Sequence, residues 1–157
     1  MTQARTFKVK SPLARQMLEP GGRLVRDAER LASEALEGHR DDVMATVAAA
    51  LDALDAVYAA GVGRGQAAGD AGPRIYELAS SIIDLAGYFD TGPLYEAAYS
   101  LCDVSDRMIA AGVWRWPTIQ VHLQALRLIL AGGCRAGRTS EALLSGLRSV
   151  AMLTPAA

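Results

Sequence analysis

Few residues of this sequence have the type and spacing that metal or nucleophile chemistry requires. The histidines, His39 and His122, and the cysteines, Cys102 and Cys134, stand far apart, without the Cys/His grouping of a zinc site. We therefore expect no metal site. Both cysteines have aliphatic neighbours, where a reduced cysteine acts as a small hydrophobic side chain rather than as a nucleophile.

The two histidines are weak candidates for acid-base chemistry. His122 is at the margin of an apolar helical stripe that includes Ile119 and Leu126, which predicts a half-buried structural histidine. His39 precedes two aspartates near a helix junction, where we expect it to be solvated. A catalytic base needs an oriented partner, and the sequence supplies none for either ring.

Nucleotide and cofactor motifs are also missing from the sequence. It contains no GxSxG and no P-loop, and the glycine-rich run 61–65 follows a predicted helix, whereas a phosphate-binding loop of the dinucleotide type follows a strand. We therefore predict a protein that is not an enzyme and that uses no cofactor.

Composition indicates the elements that must position any functional residue. The chain has 157 residues, of which 51% are hydrophobic and 6% aromatic, and Ala and Leu dominate. Such a composition predicts an all-α fold. The longest stretch without a charged residue, 116–126, is too short to cross a membrane, and no apolar secretory segment follows the basic N-terminus. We expect a cytoplasmic protein without membrane insertion.

Charge is distributed unevenly along the chain. Residues 41–106 carry 11 acidic and 2 basic side chains, whereas both ends are basic. A central nucleic-acid surface is disfavoured because phosphate binding needs clustered Lys and Arg. Basic end segments packed beside acidic central helices would explain the pattern, and a surface that steers a partner is the alternative.

The apolar periodicity predicts an up-and-down four-helix bundle with extra short helices. An extended N-terminal arm over residues 1–22 precedes a single helical domain over 23–153, and residues 61–72 form a flexible glycine-rich connector. Predicted helices run from Leu24 to Gly38 and from Asp41 or Asp42 past Tyr58. Others begin near Pro73, Leu94, Pro117 and Ser140, and Gly112 and Gly132-Gly133 are predicted stops.

The predicted hairpin over residues 74–112 resembles the central helix pair of histidine phosphotransfer (HPt) domains, four-helix bundles of two-component signalling. Their motif is Ala-His-x-Leu-Lys-Gly, and here Ala79 matches the Ala and Ile82 the Leu. Ser80 stands at the phosphorylated His, Ile83 at the Lys and Asp84 at the Gly. The resemblance implies a similar bundle without the imidazole that accepts the phosphoryl group.

A second resemblance extends over most of residues 5–150. Phe7-Lys8-Val9, Pro20-Gly21-Gly22, the run from Ser100 to Met108 and the run from Val121 to Leu128 are similar to a small alphaproteobacterial family of chemotaxis-associated, CheE-like proteins. That resemblance implies a cytoplasmic accessory protein of a chemotaxis or two-component system. It implies no catalytic residues.

These resemblances predict a non-enzymatic adaptor that binds a response-regulator receiver domain or a histidine kinase. The predicted binding residues are Tyr76, Ser80, Ile83, Asp84 and Gly87. One alternative is an active phosphotransfer protein that uses His122 or His39, which would have to project into solvent from the middle of a bundle helix. Another is a helical bundle that holds an apolar small molecule in an enclosed cavity.

Two tryptophans, Trp114 and Trp116, flank Arg115 at a predicted helix boundary. Trp and Arg are common anchors of protein interfaces. We therefore predict that one of the indoles lies at a protein contact, most simply in a homodimer. Packing of the N-terminal arm over the rings is the alternative.

Overall fold

The computed structural model describes residues 25–62, 69–89 and 91–154, and these ranges contain six helices and no strand. The helices are α1 (Val25–Gly38), α2 (Arg40–Val62), α3 (Ala71–Ala86), α4 (Gly92–Ala110), α5 (Trp116–Ala131) and α6 (Arg138–Met152). The predicted all-α class is confirmed for these residues. The N-terminal arm and residues 63–68 of the predicted connector lie outside the described residues.

The chain divides into two compact units, residues 1–38 and 39–157. Helix α1 in the first unit has an apolar stripe, as its sequence predicts, yet none of its residues is buried. Leu31 and Leu36 remain exposed, and Arg30 forms an ion pair with Glu34 one turn later. The predicted end of this helix at Gly38 is confirmed.

The second unit is a helical bundle around one core. Helix α2 packs against α3 and α5, α3 against α4, α4 against α5, and α6 against both α4 and α5. The apolar faces predicted from the periodicity meet in its centre. The largest fully buried aliphatic residues are Leu51, Leu54, Ile75, Ile82, Leu94, Leu101, Met108, Ile119, Leu126 and Leu147.

Glycines end two of these helices as predicted. Gly112 has φ +65°, and the following Val113 N–H donates to the Met108 carbonyl at 3.1 Å. Gly133 has φ +71° and repeats the arrangement at the end of α5. A left-handed residue at this position lets the chain satisfy the last helical carbonyls and turn away. The tight turns keep consecutive helices side by side.

Contacts between α3 and α4 show that these helices form an antiparallel hairpin. The buried Thr91 hydroxyl donates to the Ala86 carbonyl at 2.8 Å, across the turn. Farther from the turn, the Cys102 thiol lies 3.8 Å from the Tyr76 carbonyl. Residues equally distant from the turn therefore lie side by side, as the predicted hairpin requires.

The predicted connector is shorter than residues 61–72. Gly61 and Val62 form the end of α2, and Ala71 and Gly72 form the start of α3. Gly61 is buried against the Trp116 indole. Gly61 contributed to the prediction of a flexible segment, but in the structure it belongs to a helix. The Trp116 indole leaves no room for a side chain at this position.

Helix α2 is long and apolar enough to cross a membrane by length and composition, and 17% of that stretch is buried. The longest uncharged run of the sequence, 116–126, lies in α5 and gave no indication of this helix. One such helix is weak evidence for a span. Its residues Val47 and Leu51 are buried in the bundle core, and its carboxylates Asp52 and Asp55 pair with Arg127 of α5. These contacts join α2 to the other helices of the second unit.

Candidate functional site

The predicted binding residues lie on α3 or, in the case of Gly87, directly after its last residue. They recur at helical spacing and share one side, here called the α3 face: Tyr76, Ser80, Ile83, Asp84 and Gly87. Tyr76, Asp84 and Gly87 are exposed. Ser80 and Ile83 are partly buried, and Ile83 packs against the core. The α3 face is thus open to solvent at both ends and partly covered in the middle.

Cys102 of α4 lies beside this face. Its thiol is close to the Tyr76 carbonyl, and the side chain is buried. Burial, and secondly the negative charge of Asp84, raise the pKa of the Cys102 thiol to about 11. The thiol is therefore protonated at neutral pH, in keeping with the predicted hydrophobic role. That Cys102 adjoins the α3 face was not predicted.

Two tyrosines on α4 form an exposed aromatic pair. The rings of Tyr95 and Tyr99 are stacked, with centroids 6.5 Å apart and an interplanar angle of 14°. Both are solvent-accessible. Sequence reasoning missed this pair, although aromatic residues four positions apart on a helix are a recognisable signal.

His122 is completely buried rather than half-buried, which corrects the prediction. Its Nδ1 lies 2.8 Å from the Thr118 carbonyl and its Nε2 3.0 Å from the Ser100 hydroxyl. A carbonyl only accepts, so Nδ1 carries the hydrogen and Nε2 accepts from Ser100. Desolvation by burial lowers the pKa of His122. A phosphoryl acceptor must reach a partner's active site, so this ring does not meet the condition set for the phosphotransfer alternative.

His39 is exposed, but it does not lie in the middle of a bundle helix, as the phosphotransfer alternative requires. It precedes α2, and its carbonyl accepts the Val43 N–H at 3.0 Å. A phosphotransfer histidine would project from the middle of a bundle helix. His39 instead stands at a helix start.

Ser100 lines a groove between α4 and α6, which no sequence signal indicated. The groove is open to solvent and has a volume of about 430 Å³. Its other lining residues are Tyr95, Glu96, Tyr99, Asp103, Arg107, Arg148, Ala151 and Met152. Arg148 pairs with Glu96 across it, and Arg107 pairs with Asp103 and donates to the Ala151 carbonyl. The groove therefore has an aromatic wall and charged rims.

The tryptophans are enclosed, which overturns the predicted contact between copies. Trp114 is 4% exposed and Trp116 is 6% exposed. Trp116 meets the rings of Tyr58 and Trp114 edge-to-face, with centroids 5.8 and 5.6 Å away. Rings buried within one chain cannot anchor a homodimer. The arm that was predicted to cover them lies outside the described residues.

Ion pairs join the acidic middle of the chain to its basic end. The Arg127 guanidinium lies 2.5 Å from carboxylate oxygens of both Asp52 and Asp55, and their hydrogen bonds raise its pKa. Together with the pair between Arg148 and Glu96, this agrees with the predicted packing of basic segments beside acidic helices. Ion pairs within the chain therefore neutralise some of the acidic side chains in its middle and some of the basic side chains at its end.

Further grooves lie along α5. One of about 500 Å³ adjoins Arg127 and Tyr58, and one of about 300 Å³ adjoins the start of α6. Both open to solvent, so neither has the enclosed form expected of a buried small-molecule site. Among the described residues no group of His, Cys, Asp and Glu side chains is placed to hold a metal ion.

No protein-family model matches the chain, and no curated protein or solved structure matches it either.

Proposed function

We propose that this protein is a non-enzymatic, cytoplasmic adaptor of bacterial two-component or chemotaxis signalling. In this proposal the α3 face binds a receiver domain or a histidine kinase. The observation that carries it is the row of exposed residues, Tyr76, Asp84 and Gly87, around a serine at the position of a phosphotransfer histidine.

The packing of the helices supports an HPt-like architecture. Helices α2, α3, α4 and α5 each pack against the next, and α2 packs against α5, which closes a cycle of four. We infer that these helices form an up-and-down four-helix bundle, with α6 as an added helix over α4 and α5. The α3–α4 hairpin then corresponds to the central pair of a phosphotransfer domain.

The chemistry of the α3 face fits binding without phosphoryl transfer. Ser80 lacks the imidazole that accepts the phosphoryl group in phosphotransfer domains, so it is a poor acceptor for an aspartyl phosphate. Asp84 is exposed and adds negative charge where a phosphoryl group would enter. Such a surface would occupy a receiver domain and compete with true phosphotransfer proteins.

The test is a binding measurement with purified receiver domains and histidine kinases of the source organism. Tyr76→Ala combined with Asp84→Arg changes both exposed ends of the α3 face. We expect this variant to weaken binding at least about tenfold, since it removes an aromatic contact and reverses a charge. Glu141→Arg, at an exposed position of α6, is the matched control for the charge and should leave affinity unchanged.

Phosphoryl transfer is measured in parallel. A phosphorylated receiver mixed with the protein should keep its label, and no acid-labile phosphate should appear on this chain. Transfer of label to the chain, or binding that both variants leave intact, would contradict the proposal.

A further inference from the structure

We propose that Ser100 is a nucleophilic serine that accepts the acyl group of an uncharged ester, with His122 as its general base. The reaction is a single acylation of the chain itself, without turnover, so it is compatible with a non-enzymatic adaptor. It does not depend on the adaptor function, because it uses the groove between α4 and α6 rather than the α3 face.

The first support is the hydrogen-bond chain from the groove into the core. The Ser100 Oγ lies 3.0 Å from Nε2 of His122, and Nδ1 of the same ring lies 2.8 Å from the Thr118 carbonyl. That carbonyl fixes the tautomer in which Nε2 has the free lone pair. The Ser100 O–H therefore points at the atom that would remove its proton, which is the arrangement of a nucleophile and its base.

The second support is the state of the base. His122 is fully buried, and burial lowers its pKa, so the ring is neutral and able to accept a proton at neutral pH. The Thr118 carbonyl also fixes the ring orientation. No rearrangement of His122 is needed before proton transfer.

The third support is access. Ser100 is only partly buried and lines the groove of about 430 Å³. The rings of Tyr95 and Tyr99 and the exposed Met152 provide apolar contact area there.

The charges of the groove select the substrate class. Two arginines, Arg107 and Arg148, face two carboxylates, Glu96 and Asp103, so the formal charges cancel. An uncharged ester with an apolar or aromatic group fits this lining.

The step conserves atoms and charge. The Ser100 oxygen forms a bond to the ester carbonyl carbon while its proton moves to Nε2 of His122. The tetrahedral intermediate then breaks the bond between carbon and the alcohol oxygen. An alkoxide takes the proton back from Nε2 as it leaves, whereas a stable phenolate leaves as the anion and the proton passes to solvent. The product is an ester on Ser100.

The experiment uses the full chain and p-nitrophenyl acetate. We expect a burst of about one p-nitrophenolate per chain and one added acetyl group, which peptide mapping by mass spectrometry places on Ser100. Ser100→Ala should remove the burst, and His122→Gln should slow it by about 100-fold or more. Ser149→Ala, which removes a hydroxyl from an exposed position of α6, is the control and should react like the wild type.

Two readouts separate nucleophilic serine chemistry from a structural hydrogen bond. The acylation rate should hold through neutral pH and fall only below the pKa of His122, which burial places under its ordinary value of 6.5, because the protonated ring cannot act as a base. An alkyl fluorophosphonate should label Ser100 selectively. The wild-type chain decides the question even where a variant fails to fold. Acetyl groups found on Lys8, Lys10 or the tyrosines instead of Ser100, or no label from the fluorophosphonate, would overturn the proposal.

Discussion

Gly61 lies so close to the indole of Trp116 that a Cβ atom on residue 61 would overlap the carbons of its six-membered ring. The contact joins the last turn of α2 to the first turn of α5. Tyr58, one turn before Gly61, meets the same indole edge-to-face. Absence of a side chain at position 61 thus lets an aromatic cluster close one end of the bundle.

Substitution Gly61→Ala should destabilise the protein. The added methyl group must displace the Trp116 ring or the end of α2, and such overpacking costs about 1–3 kcal/mol. The free energy of unfolding, measured by urea denaturation followed by tryptophan fluorescence, checks this.

Gly146→Ala is the matched control. Gly146 is exposed inside α6, and a Cβ there meets nothing within 4 Å. Because alanine is the better helix former, this variant should gain about 0.5–1 kcal/mol. Equal effects of the two substitutions would show that the Gly61 contact has no energetic consequence.

Burial of His122 makes stability depend on pH. Its folded pKa is below the ordinary value of 6.5, which the unfolded chain keeps. Between these values the unfolded state binds more protons, so the free energy of unfolding should fall as pH drops below about 6.5 and level off below the folded pKa.

The corresponding measurement is urea denaturation from neutral to acidic pH. His122→Gln should remove the part of the pH dependence of the unfolding free energy that His122 causes. His39→Gln, measured in the same way, compares the loss of the exposed histidine with the loss of the buried one. A steeper loss of stability in the His122 variant than in the wild type would contradict the linkage.

The ion pairs of Arg127 should make a small contribution to the free energy of unfolding. The guanidinium contacts Asp52 and Asp55 together, but its side chain is 38% exposed. Arg127→Met should therefore cost about 1 kcal/mol or less in unfolding free energy, and less at high salt. Arg148→Met removes the ion pair with Glu96, which is longer, at 3.4 Å, and has an arginine side chain that is 69% exposed. This substitution should leave the unfolding free energy almost unchanged. A loss that does not change with salt would show that Arg127 acts through packing of its stem instead.

Local signals in the sequence were enough to predict most helices. The apolar periodicity and the glycines at positions 38, 112 and 132–133 marked helix ends that the structure has. These features could be predicted because they depend on residues within one or two turns. The connector was misjudged at Gly61 because its surroundings include Trp116, 55 residues later in the chain.

The site residues show the same limit. Periodicity placed the residues of the α3 face on one side of a helix, but the burial of Ile83 and the neighbourhood of Cys102 depend on how α3 meets other helices. His122 was judged from its own helix alone. Its bond to Ser100 joins α4 and α5, and no local pattern predicts a contact between residues 22 positions apart.

The Cys102 thiol should react slowly in the folded protein. Its pKa is raised from 9.0 to about 11, first by burial and then by Asp84, so the thiolate fraction falls on the order of 100-fold. We expect Cys102 to react with Ellman's reagent at least that much more slowly in the native chain than in urea. Cys134→Gly isolates this thiol, and glycine accepts the φ of +58° at that position.

Asp84→Asn separates the two causes of the raised pKa. Removing the charge should lower the pKa of Cys102 slightly and speed its reaction, whereas the larger effect of burial should remain, so the native thiol stays much slower than the unfolded one. Asp106→Asn, on an exposed side of α4, is the control and should leave the rate unchanged. If Asp84→Asn and Asp106→Asn gave the same rate as the unsubstituted native chain, the charge on the α3 face would not act on Cys102, and burial alone would explain the protected thiol.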